Sequence, residues 1–154
     1  MKVLAICGGN GMMLKPLRKY LVGNIELRSL FKTPEDIQWY SNFPGIPVYN
    51  NPKILPSWER FKDVDVVVGA PDCGHSSILS LSRIKTKTDP LENESVNLFF
   101  SGILVLSPKI WIMENLPAFL DAIPFKFLKN TFPDYTFKLI QGSVSEFGNS
   151  QKNR

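Results

Sequence analysis

Lys2-Val3-Leu4-Ala5-Ile6-Cys7-Gly8-Gly9-Asn10-Gly11 is an apolar run that ends on a glycine turn. A short run with no polar alternation is the pattern of a strand buried on both faces, as in parallel sheets. The glycines stop it. Met12 to Leu21 continues with apolar residues at roughly helical spacing, Pro16 being confined to a first turn or a kink. A strand, a glycine turn and a helix form the opening unit of an α/β fold.

The rest of the chain repeats that alternation. Gly23 to Leu27 is a weak strand candidate, and Ile46 to Tyr49 is a short extended piece ended by Asn50-Asn51-Pro52. Thr33-Pro34-Glu35-Asp36 carries a helix-start pattern, with a cap, a proline in the first position and acids in the first turn. Val64 to Val68, followed by Gly69, is β-branched and nearly continuous, which makes it the best strand in the sequence. A polar loop over Ser82 to Asn93 precedes an apolar helix over Glu94 to Leu106. Lys109 to Met113 is expected as another buried strand, and Asp134 to Ile140 alternates like an edge hairpin. Strands alternating with helices predict a mostly parallel sheet with helices on both faces.

The chain has 154 residues, so residues 1–154 are read as one domain. Hydrophobic residues at 44% and charged residues at 21% are globular proportions and exclude a wholly disordered chain. The net charge of +4 permits a polyanionic partner without demanding one. Two cysteines, Cys7 and Cys73, are too few for a disulfide scaffold, and reduced thiols of a cytoplasmic protein are the simpler reading. Met1 to Leu14 lacks the apolar core of a signal peptide, and no membrane span is expected.

In an open parallel sheet the ligand site lies at the carboxyl ends of the strands. Gly9-Asn10-Gly11 ends the first strand there, where glycines let a backbone approach a cofactor. Glu26 is spaced for an acid at the end of the second strand that accepts bonds from ribose hydroxyls; a plain glycine turn plus a surface Glu reads equally well. Pro71-Asp72-Cys73-Gly74-His75 follows the best strand. A loop leading into a helix gives a thiol access and a lowered pKa, whereas a structural cysteine packs as a small hydrophobe. His75 is the only histidine, and residues two apart in a tight turn seldom aim at each other, which argues against a Cys-His pair. No metal site is expected from one His and two distant cysteines. Glu114-Asn115-Leu116 follows the next strand, so Glu114 is either a proton donor of raised pKa beside Trp111 and Met113 or an acid placed by a helix dipole.

In their order these pieces resemble the DNA cytosine-5 methyltransferase family, phage or bacterial type. Cys7-Gly8-Gly9-Asn10-Gly11 stands where that family has Phe-x-Gly-x-Gly, and Pro71-Asp72-Cys73 stands for its Pro-Cys motif with Asp72 inserted. Glu114-Asn115-Leu116 matches its Glu-Asn-Val, and Phe147 to Arg154 resembles the motif that carries its Gln-x-Arg-x-Arg, with Arg154 as the first arginine one place late. The resemblance implies a Rossmann-like fold that uses S-adenosylmethionine. It implies cofactor contacts from Cys7, Gly9, Asn10, Gly11, Glu26, Leu27, Asn50, Asn51 and Pro71. It also implies catalysis by Cys73 and Glu114, with Asn115 and Arg154 in support, on a cytosine flipped out of DNA. Asn50 or Asn51 stands where the family has an aspartate. The target-recognition domain and last motifs are not in this sequence, so a weak or inactive fragment is expected, with a complementing chain as a further partner. A degenerate remnant, or an unrelated nucleotide-binding module, is the alternative.

Overall fold

The computed structural model describes residues 1–7, 26–31, 48–50, 58–72 and 93–142, with backbone alone for 26–31 and 48–50. The expected helices at 12–21 and 33 onward lie outside the described residues, as does the loop at 82–92. Five strands make one parallel sheet among the described residues. They are β1 (Lys2–Ile6), β2 (Glu26–Phe31), β3 (Val48–Asn50), β4 (Val66–Gly69) and β5 (Ile110–Met113), in the order β3-β2-β1-β4-β5. A 3-10 turn covers Trp58–Phe61, and the helix α1 covers Glu94–Leu106. The short helices α2 (Phe119–Ala122) and α3 (Phe125–Thr131) follow β5. The fold is the Rossmann-like α/β fold that the resemblance implies, and its sheet is parallel as the alternation of elements predicts.

The chain divides into two compact units. The first joins Met1–Pro71 to Glu94–Met113, and the second joins Asp72–Asn93 to Glu114–Arg154.

In the first unit, β1 is central, and Val3, Leu4, Ala5 and Ile6 are all fully buried. The register gives one face of the sheet Leu4, Ile6, Val67, Gly69, Trp111 and Met113, and the other Val3, Ala5, Val66, Val68, Ile110 and Ile112. α1 lies on the first of these. Its Phe99 meets Trp111 edge-on, with ring centroids 6.0 Å apart, and buries Ile103 beside it. The close approach depends on glycine at two points. A Cβ on Gly69 would stand 2.3 Å from the Ile6 carbonyl oxygen and 2.5 Å from the Phe99 ring. A Cβ on Gly102 would meet the end of the Ile6 side chain at 2.4 Å and Trp58 at 3.1 Å.

β5 departs from expectation. Its burial alternates, with Ile110 54% and Ile112 46% exposed, so it is covered on one face rather than buried on both, and among the described residues it is the edge strand. The valines paired with these isoleucines, Val66 and Val68, are buried, so cover on that face ends between β4 and β5. The hairpin expected over Asp134 to Ile140 is also absent: that stretch forms no strand, and Leu139 and Ile140 are exposed. Alternation needs a strand partner before it becomes sheet.

Asp65 ties three strands together at the amino end of the sheet. Its backbone N–H donates to the Lys2 carbonyl at 3.0 Å, and its carbonyl accepts from the Ile110 N–H at 3.3 Å. Its carboxylate accepts from the Lys2 N–H at 2.9 Å and the Lys109 ammonium at 2.7 Å. Lys2 also pairs with Asp63. The Lys109 contact, then the Lys2 N–H, lowers the Asp65 carboxyl below its ordinary 3.8. A lowered folded-state value contributes stability that is fully present above 3.8 and lost as pH falls through the folded value. The stability advantage over Asp65→Asn should therefore be flat above pH 3.8 and shrink below it. Urea midpoints across pH measure this, and an advantage that grows on acidification would contradict it.

α1 closes on Ser107, whose N–H donates to the Ile103 carbonyl at 3.0 Å with a φ of 45°. That left-handed conformation costs a non-glycine residue about 1–2 kcal/mol, while glycine loses about 0.5–1 kcal/mol more backbone entropy on folding. Ser107→Gly should therefore stabilise the chain by about 0.5 kcal/mol, read as a higher urea midpoint. A lower midpoint would overturn this account of the helix end.

In the second unit, each short helix follows a proline closely. Pro117 accepts from the Leu120 N–H at 3.1 Å, and Pro124 accepts from the Phe127 N–H at 2.8 Å. Among its described residues the buried hydrophobic ones are Phe119, Ile123, Leu128 and Phe132. Phe125 meets Phe137 edge-on at 5.9 Å between centroids, and the Lys129 ammonium sits 6.0 Å from the Phe125 centroid.

Candidate active site

The sheet reverses its order of growth at β1. From there the chain builds outward to β2 and β3 on one side, then to β4 and β5 on the other. In such a sheet the crevice for a ligand opens at the carboxyl ends of the two strands where the order reverses, here β1 and β4. Ile6 and Gly69 end these strands in register. Cys7 and Ala70 come next, and the Ala70 N–H donates to the Cys7 carbonyl at 3.2 Å.

Cys7 is half-buried, with a φ of 54°. A left-handed residue directly after a buried strand turns the chain sharply, and the glycines that follow can accept such conformations without cost. The Cys7 thiol donates to the Ser95 carbonyl at 3.6 Å, which ties the end of β1 to the first turn of α1. Asn93 and Ser95 are buried polar residues at this helix start. Sequence reasoning passed over both. The signal for Asn93 is its place before Glu94, since asparagine is favoured in front of helices.

The sequence-derived candidates are distributed as follows. Cys7 and Asn50 lie at the carboxyl end of the sheet, Asn50 being the last residue of β3, paired with Phe31. Pro71 is buried, two residues after β4 ends. Glu26 and Leu27 do not join them. Glu26 opens β2 opposite Lys2, at the amino end of the sheet. The strand runs on through Arg28-Ser29-Leu30-Phe31, beyond the Gly23 to Leu27 stretch expected to form it, and so moves the acid to the wrong end for a ribose contact. Glu114 directly follows Met113, the residue of β5 in register with Gly69, and is half-buried. The Asn115 side-chain carbonyl accepts from the Leu116 N–H at 2.8 Å, a contact within the segment that follows Glu114. Gly9, Asn10, Gly11, Asn51, Cys73 and Arg154 lie outside the described residues. Among the described residues there is no group of three or more side chains suited to a metal, and no helix long and apolar enough to cross a membrane.

No family profile and no curated protein matches the sequence. Solved structures do. The Entamoeba histolytica methyltransferase EhMeth is similar with a TM-score of 0.69 and 21% identity, over 96% of this chain and 48% of that one. The likeness is one of fold. The S. pombe Dnmt2 methyltransferase is similar with a TM-score of 0.65 and 18% identity, over 99% of this chain and 47% of that one. The chain therefore spans about half the length of these two methyltransferases.

Proposed function

We propose that this chain carries the catalytic part of a DNA cytosine-5 methyltransferase. The carrying observation is the parallel order β3-β2-β1-β4-β5, with the sequence Cys7 to Gly11 after β1, Pro71-Asp72-Cys73 after β4 and Glu114-Asn115 after β5. β4 and β5 end in register at Gly69 and Met113, and in the sequence Cys73 comes four residues after Gly69 and Glu114 directly after Met113.

Cytosine C5 is a poor nucleophile, and the proposed chemistry makes it a better one. The Cys73 thiolate adds to C6, forming a sulfur–carbon bond, while the Glu114 carboxyl gives a proton to N3. The electron pair of the former C5–C6 double bond is then available at C5. S-adenosylmethionine, when bound, supplies the methyl group that C5 takes. Removal of the C5 proton by a base expels the Cys73 thiolate and restores the ring, and Glu114 recovers its proton from N3. Asn115, next to Glu114 in sequence, acts in support, and Arg154 supports the flipped base or its phosphate. The cofactor fits the geometry in part. Cys7, which Gly8 to Gly11 follow in sequence, and Asn50 are at the carboxyl end of the sheet, with Asn51 next in sequence, whereas Glu26 and Leu27 are not. We assign sequence selection to polypeptide other than these 154 residues, in the same chain or a complementing one. The three lysine and arginine residues of the 82–93 loop, Arg83, Lys85 and Lys87, give at most salt-sensitive, sequence-blind DNA contacts. The expected location is the cytoplasm.

The second reading is a remnant that binds cofactor without chemistry, favoured by the position of Glu26 and by Asp72 between Pro71 and Cys73. One pair of measurements separates the readings. Calorimetry with S-adenosylhomocysteine should give weak but measurable heat, and DNA carrying 5-fluorocytosine with S-adenosylmethionine should form a covalent adduct visible by denaturing gel. Heat without an adduct supports the remnant. No heat at millimolar ligand leaves an unrelated nucleotide-binding module.

A further inference from the structure

We draw no further inference here: the strongest candidate, the aliphatic strip that Ile110 and Ile112 leave half exposed on one face of the edge strand β5, carries nothing because nothing in the structure shows what covers it.

Discussion

Gly69→Ala should unfold the chain or cost it at least about 3 kcal/mol, the upper part of the range for overpacking a core. The reason is which atoms the new methyl group meets. One is the Ile6 carbonyl oxygen, 2.3 Å away in the neighbouring strand, and the others are Phe99 ring carbons at 2.5 and 2.6 Å. Backbone held in a parallel ladder cannot yield by rotating a side chain, so either β1 and β4 separate or α1 lifts from the sheet. Lifting α1 would expose Phe99, Ile103 and Leu106, all now buried. For a domain whose whole stability is about 5–15 kcal/mol, such a loss is large. Gly102→Ala is the control. Its nearest obstacle is the end of the Ile6 side chain, which can turn aside, and alanine favours helix by about 1 kcal/mol. That variant should lose no more than about 1–2 kcal/mol. Urea unfolding followed by tryptophan fluorescence and far-UV circular dichroism ranks the two. Equal midpoints for Gly69→Ala and the parent, or a worse Gly102→Ala, would show that α1 is not seated on the sheet as described.

Cys73→Ser should abolish both the 5-fluorocytosine adduct and methyl transfer, leaving S-adenosylhomocysteine binding and the unfolding midpoint unchanged. A hydroxyl has the shape of the thiol but almost no anionic fraction near neutral pH, so addition to C6 stops. Glu114→Gln should behave differently. On the proposed mechanism it keeps a hydrogen-bonding side chain for N3 but cannot deliver the proton, and proton transfer by a positioned group contributes about 10²–10⁴ in rate. Slow transfer with slow adduct formation is therefore expected of Glu114→Gln, against none for Cys73→Ser. An adduct that persists in Cys73→Ser would move the nucleophile elsewhere. A Glu114→Gln variant at parent rate would return Glu114 to the role of an acid that only starts the next turn.

The elements that could be read from the sequence were those whose own residues decide them. α1 spans Glu94–Leu106, the range its apolar content predicts, and β4 takes Val66 to Val68 of the expected Val64 to Val68 run together with Gly69. The expectation for Glu26 failed because strand ends depend on where pairing stops, which residue spacing does not report. α2 and α3 went unread for a different reason. At 4 and 7 residues they are far below the roughly 12–15 residues at which isolated helices become even marginal. Buried Phe119, Ile123, Leu128 and Phe132 hold them in place, and contacts of that kind cannot be read from local sequence. The role of Gly69 was equally hidden, because Ile6 and Phe99 become its neighbours only once the sheet and α1 assemble. Of the candidate residues, the positions of Cys7, Pro71 and Asn50 at or just past the carboxyl ends of strands were legible, because the strands that precede them could be read from their own residues.

The two compact units are woven from alternating lengths of chain, with crossings after Pro71, Asn93 and Met113. Neither can be excised as one continuous segment. A gene cut after Pro71 would yield a first unit lacking α1 and β5, and one begun at Glu114 would yield a second unit lacking residues 72–93. For the same reason a single proteolytic nick in 72–93 would release no intact body, and the fragments should stay associated until denaturant separates them. During synthesis the ribosome delivers β4 well before the α1 and β5 that complete its unit. Until Met113 has emerged, the valines of β4 lack the neighbour on their outer side, so this interval is when the nascent chain most needs shielding from other chains.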